Sequence, residues 1–112
     1  MAKKSKKQSL VLIPCYNEEI TIASMVIKSS KYVDKVVVID DGSTDETGPI
    51  AERVGAIILS HGKNKGKSQA ILTGFQYALD HGYDYIITID GDGQHNPDEI
   101  PLLLKDLDEN ER

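Results

Sequence analysis

What most limits the fold open to this chain is its repeated alternation of short, nearly continuous apolar runs with stretches of helical period. The apolar runs are Leu10 to Ile13, Lys35 to Ile39, Ala56 to Leu59 and Tyr85 to Ile89, each bounded by turn residues. Strands that are apolar at successive positions are buried on both faces. Strand-helix repeats of this kind favour an α/β fold, a mostly parallel sheet with helices on both faces. At 112 residues the chain has room for one such domain and not two.

Three helices are predicted between the strands and a fourth after the last one. The first covers about Glu19 to Ser30, with Ile20, Ala23, Met25 and Ile27 as its apolar positions. The second covers about Asp45 to Val54, follows Ser43 as N-cap and closes at Gly55, with an irregular first turn at Pro49. The third runs from Lys67 to His81, buries Ala70, Ile71, Phe75 and Leu79, and closes at Gly82. In the fourth, Asn96 caps, Pro97 takes the first helical position and Pro101 interrupts the bonding.

The formal net charge is −5, and four lysines lie within the first seven positions, so the remaining body is more acidic still. An acidic body argues against nucleic-acid binding. Residues 1–8 read as a basic, solvated tail and residues 9–112 as the folded domain. The tail lacks the apolar stretch of a secretory signal, although its lysines suit contact with an anionic membrane surface. No apolar run approaches the length needed to cross a bilayer. The one cysteine, Cys15, rules out an internal disulfide and a cysteine-rich zinc site, which fits a cytoplasmic setting. Oligomeric state is not readable from these features.

In parallel sheets ligands collect at the carboxyl ends of the strands. Three polar clusters follow strands directly: Tyr16-Asn17-Glu18, Asp40-Asp41-Gly42-Ser43 and Asp90-Gly91-Asp92. Asp90 and Asp92 flank a glycine, so the two carboxylates can approach one another. Their repulsion is relieved by a hard divalent cation such as Mg2+ or Mn2+, with Gln94 adding an amide oxygen and His95 an imidazole. Asp-Gly pairs are also ordinary turn residues. The placement of this pair at the end of a strand, on an edge shared with two other polar clusters, is what favours the metal. In the second cluster one carboxylate can bond the turn amides while the other, Asp41, points outward as an acceptor for a base N–H. Pro14 fixes the chain direction and Tyr16 offers a flat face.

Two other nucleotide-binding patterns fit less well. Gly62-Lys63-Asn64-Lys65-Gly66-Lys67-Ser68 approaches a P-loop, with Asp90 as the acidic partner of an NTPase, but has three residues between its glycines where the motif needs four. A dinucleotide fold would carry its glycine fingerprint after the first strand, where this chain has Cys15-Tyr16-Asn17-Glu18-Glu19.

The ordered segments Val11 to Glu19, Val37 to Asp45 and Ile89 to His95 together resemble glycosyltransferase family 2, most closely its dolichyl-phosphate mannose and glucose synthase-like group. The resemblance implies the Rossmann-like, nucleotide-sugar-binding half of a GT-A glycosyltransferase. It implies that Pro14, Tyr16, Glu18, Asp40, Asp41, Lys67, Gly91 and Asp92 surround a UDP- or GDP-sugar, with Asp41 toward the base. It further implies that Asp90, Asp92 and Gln94 hold Mg2+ or Mn2+, directly or through water, and that the sugar passes with inversion to an acceptor such as a polyprenyl phosphate. Catalytic domains of this family are about twice as long as this chain. The acceptor half and the general base are therefore expected to be missing, and a nucleotide-sugar-binding module without transfer activity is the alternative.

Overall fold

The computed structural model describes residues 7–109. Four parallel strands, β1 (Ser9–Cys15), β2 (Lys35–Asp41), β3 (Ile57–His61) and β4 (Tyr85–Thr88), form one sheet in the order β3-β2-β1-β4. The expected tail falls mostly outside the described residues. Gln8 already belongs to the sheet's amino edge, its N–H donating to Asp84 Oδ2 at 2.7 Å and its carbonyl accepting from Tyr85 N–H.

Central β1 is buried along its whole length because β2 and β4 flank it and helices cover both faces. Its side chains alternate between two cores. Val11, Ile13 and Cys15 pack with α1 (Ile22–Ser29), α2 (Thr47–Arg53) and the start of α4 (Ile100–Glu109) through Ile22, Val26, Ala51 and Ile100. Leu10 and Leu12 pack on the opposite face with Val37 and Ile39 against α3 (Lys67–Asp80). Each fully buried Leu, Ile or Val contributes about 1.5–3 kcal/mol relative to exposure. Apolar successive positions on β1 are thus explained by burial on both sides, as expected for helices on both faces.

Two helices present faces that match those predicted only in part, at Met25 and Ala70. α1 buries Ile22, Met25, Val26 and Ser29, while Ile20 is 91% exposed and Ile27 about half exposed. The buried set has the i, i+3, i+4, i+7 spacing of a helix, and Ile20 lies in the turn ahead of it. α3 buries Ala70, Gly74 and Ala78, while Ile71 is only half-buried and Phe75 and Leu79 face outward. Small residues at i, i+4 and i+8 let this helix sit close to the sheet. A Cβ on Gly74 would stand 2.9 Å from Leu12 Cδ1 and 3.0 Å from Ile39 Cδ1. Phe75 and Leu79 are not buried as their size predicts, because close approach favours the smaller side chains.

α2 starts later than predicted, and Ser43 is not its cap. Asp45 Oδ1 instead accepts from Thr47 N–H at 3.0 Å and from the Thr47 hydroxyl. Gly55 and Gly82 adopt left-handed φ values after α2 and α3, as predicted. Asn96 Oδ1 accepts from Asp98 N–H at 3.0 Å, opening a 3-10 turn, Pro97–Glu99, which passes into α4 at Ile100. Pro101 does not interrupt α4, since it sits in the first turn, where backbone N–H groups lack helical partners. Among the described residues no helix is long and apolar enough to cross a membrane.

The close approach of α3 yields a direct test. Gly74→Val should destabilise the chain by about 1–3 kcal/mol through overpacking, whereas Leu79→Ala should change stability by less than about 0.5 kcal/mol. Urea denaturation midpoints of the two variants check the assigned helix face.

Candidate functional site at the carboxyl edge of the sheet

The loops that leave β1, β2 and β4 meet the loop that leaves β3 around a cleft of about 330 Å³. Of the predicted site residues, Pro14, Tyr16, Glu18, Asp41, Lys67, Asp90, Gly91 and Asp92 line it, joined by Asn64 and Gly66. Asp40 and Gln94 lie beside it. Asp40 holds the turn after β2, its Oδ1 accepting from Ser43 N–H at 3.0 Å, and Gln94 lines a neighbouring depression with Thr21 and Ser24.

The first two loops are stitched together by their own side chains. Asn17, at a left-handed φ of 54°, donates its N–H to Ser43 Oγ at 2.9 Å and accepts from Thr44 N–H at 2.8 Å. Glu18 N–H donates to Thr47 Oγ1 at 2.9 Å, and Glu19 Oε1 accepts from Glu46 N–H at 3.0 Å. Ser43 therefore joins loops where a helix cap was predicted.

Asp41 is the most enclosed acidic group here, 3% exposed. Its carboxylate does not point outward as the sequence predicts. Its Oδ1 instead accepts from Lys65 N–H at 2.9 Å and from His61 Nδ1 at 2.7 Å, and its Oδ2 accepts from Gly66 N–H at 2.8 Å. With Nδ1 donating to Asp41, His61 Nε2 accepts from Thr73 Oγ1 at 2.9 Å. Burial alone would raise this carboxyl's pKa, but the bonds from His61, Lys65 and Gly66 outweigh it and hold it below the ordinary range. The same bonds weaken the P-loop alternative. Two backbone N–H groups that such a loop would turn toward phosphate are directed at Asp41.

His61 was missed in the sequence. It is the direct register partner of Asp41 across the β2–β3 pairing, but the strand was predicted to end at Leu59, two residues short. Extending β3 by those two residues would have brought the histidine to the same edge.

The loop after β4 approaches β1 closely. A Cβ on Gly91 would lie 2.7 Å from Cys15 Sγ, and the Gly91 carbonyl accepts from Thr21 Oγ1 at 2.5 Å. Asp90 N–H donates to His95 Nδ1 at 2.8 Å, and Asp92 Oδ1 accepts from Gln94 N–H at 2.9 Å. Lys67 Nζ stands 2.6 Å from Asp90 Oδ1. Negative charge is concentrated in this corner: burial, then the charges of Asp92, Asp45 and Asp90, push the Glu18 carboxyl above its usual range. Burial, followed by Glu18 and the aspartates, likewise pushes the Cys15 thiol far up, so it is no ready nucleophile.

Among the described residues no three His, Cys, Asp or Glu side chains converge as a self-sufficient metal cage. Asp90 and Asp92, both on the cleft, supply oxygen donors alone, whereas Gln94 lines the neighbouring depression, and Asp90 already pairs with an ammonium group in this structure. Such a set fits a hard cation that draws its remaining ligands from water and phosphate.

Comparison with solved structures places this architecture. Glucosyl-3-phosphoglycerate synthase from Mycobacterium tuberculosis, in complex with Mn2+, UDP-glucose and phosphoglyceric acid, aligns with a TM-score of 0.77 at 29% identity over 94% of this chain and 40% of its own. Its complex with Mg2+ and UDP aligns with a TM-score of 0.73. The fold is that of the GT-A glycosyltransferases. The family model for glycosyl transferase family 2 matches residues 10–112, and the chain belongs to that family.

Among curated relatives, an uncharacterised protein of Methanocaldococcus jannaschii is 40% identical over 89% of this chain. UDP-N-acetylglucosamine–dolichyl-phosphate N-acetylglucosaminyltransferase of Methanococcus voltae is 32% identical over 87%, and polyprenol monophosphomannose synthase of Mycolicibacterium smegmatis is 34% identical over 91%. The chain spans 47%, 46% and 42% of these three relatives respectively, less than half of each.

Replacing Asp41 by Asn keeps one acceptor oxygen but sets an NH2 group against the N–H donor or donors of the other, and should cost about 1–3 kcal/mol at neutral pH. Because the folded carboxyl sits below its unfolded value, its contribution is complete above the ordinary carboxylate range and is lost as pH falls through the depressed folded value. Urea melts of wild type and Asp41→Asn should therefore differ at neutral pH and converge in acid.

Proposed function

We propose that residues 9–112 form the donor-binding half of a metal-dependent, inverting family 2 glycosyltransferase that takes a UDP- or GDP-sugar. The observation that carries this reading is that Asp90, Asp92, Tyr16 and Asp41 line one cleft. Tyr16 is 45% exposed at the cleft and offers its ring face to a base. Asp41 uses three of about four acceptor positions on internal bonds, so one remains for a base N–H. Lys67 supplies positive charge for the phosphates. Asp90, Asp92 and Gln94 would hold Mg2+ or Mn2+, which when bound neutralises the charge that develops on the departing nucleoside diphosphate.

A polyprenyl phosphate is the acceptor we favour, in keeping with the relatives named for dolichyl phosphate and polyprenol. A phosphate monoester is already anionic near neutral pH, so attack on the anomeric carbon needs no general base, and none is assigned among these residues. Such an acceptor would bring the protein to a membrane surface, on the cytoplasmic side in keeping with the free thiol of Cys15. A second reading, a nucleotide-sugar-binding module without transfer, rests on the lining of the cleft, which supplies donor-site groups and no residue assigned to an acceptor.

Calorimetric titration of UDP and GDP, each with and without Mn2+, tests the donor site. One diphosphate should bind in a metal-dependent manner, and Asp92→Ala should weaken it ~100-fold. Binding that ignores both the metal and the substitution would overturn the reading. Sugar transfer by a chain that passes this test would exclude the module alternative.

A further inference from the structure

Lys67 opens α3, and its position is set by the sheet. Gly66, immediately before it, has a φ of 101° and gives its N–H to Asp41 Oδ2. Residues 67, 70, 74 and 78 share one side of the helix, and the last three are buried against the sheet. The lysine side chain extends from that side to Asp90, with Nζ 2.6 Å from Oδ1. Asp90 carries 29% side-chain exposure and Lys67 61%, so an enclosed carboxylate is matched with a more accessible ammonium group.

We propose that Lys67 is a resident counter-ion that holds the cation position on Asp90 until nucleoside diphosphate and divalent cation arrive together. The inference rests on the donor-site reading given above. Its basis is charge balance. A divalent cation alone would have to join Asp90 beside an ammonium group already at ion-pair distance, and that group would have to be expelled into water without a new partner. A diphosphate alone would meet Glu18, Asp90 and Asp92, with Lys67 as the positive side chain lining that part of the cleft. Together, the diphosphate gives the lysine a new anionic partner while the cation replaces it on Asp90.

Each ligand therefore strengthens binding of the other, and by linkage the effect is reciprocal. The exchange costs little in itself, because an accessible ion pair is weak in water. Free cations are then held weakly when no nucleotide is present. Lys67 is in this sense a positioning residue for the site, distinct from a ligand of the metal.

The test is Mn2+ binding, read from the loss of the free-ion electron paramagnetic resonance signal. It uses the full chain as wild type, Lys67→Met and Lys67→Arg, each alone, with UDP and with GDP. Wild type should bind Mn2+ weakly alone and about 5- to 150-fold more tightly with the accepted diphosphate. Lys67→Met should bind Mn2+ alone more tightly than wild type and lose most of the diphosphate enhancement. Lys67→Arg, which keeps the charge, should behave as wild type. Circular dichroism confirms that the exposed substitutions leave the fold intact. If Lys67→Met binds Mn2+ alone no better than wild type while the diphosphate still enhances both equally, the counter-ion role is overturned and the donor site stands. If wild type binds no Mn2+ with either diphosphate, the donor-site reading fails and this proposal falls with it.

Discussion

The buried carboxylate of Asp41 is the interaction on which the site depends. It ends β2, faces inward at the sheet edge and gathers hydrogen bonds from His61, Lys65 and Gly66. Those bonds fold the 62–66 loop back over the edge and fix where α3 begins. The start of α3 in turn aims Lys67 at Asp90, which belongs to the loop after β4. One carboxylate on β2 thereby sets the relation between the third and fourth strand loops, although β3 and β4 lie at opposite edges of the sheet.

Glycines make these approaches possible at two points. Gly42, at a left-handed φ of 79°, lies against the backbone of Lys63 and Asn64, where a side chain would collide with main-chain atoms that cannot move independently. Gly91 lies against Cys15, so the acidic loop reaches the end of β1 and Thr21 can bond its carbonyl. The cleft is therefore walled by backbone at short range, and carboxylates and one lysine project into it. Concentrated negative charge is a stability cost that a phosphate-accompanied cation would relieve, which links the electrostatics of the cleft to its proposed ligand.

Much of this arrangement was legible in the sequence. Continuous apolar runs identified all four strands because a parallel sheet buried on both faces leaves no polar alternation, and the clusters following those strands collected at one edge as topology requires. The faces of α1 and α3 were legible only in part, at Met25 and Ala70. Large apolar residues such as Ile20, Phe75 and Leu79 suggested burial, whereas the packing distance selected Gly74 and Ala78 alongside the expected Ala70. Capping residues were likewise ambiguous, since Ser43 can bond its own helix or a neighbouring loop and the structure uses the latter. His61 and the Lys67–Asp90 pair depend on partners twenty or more residues apart, which local pattern does not encode.

The central claim is that nucleoside diphosphate and divalent cation meet at the carboxyl edge of the sheet. Amide NMR of the isotope-labelled chain, with Mn2+ added alongside UDP or GDP, locates the paramagnetic ion directly. Broadening should be strongest at Asp90 to Gln94, Tyr16 and Gly66, and weakest at Gln8, Asp34 and Asp84 on the opposite edge. Broadening centred on that opposite edge, or spread evenly over the chain, would contradict the account.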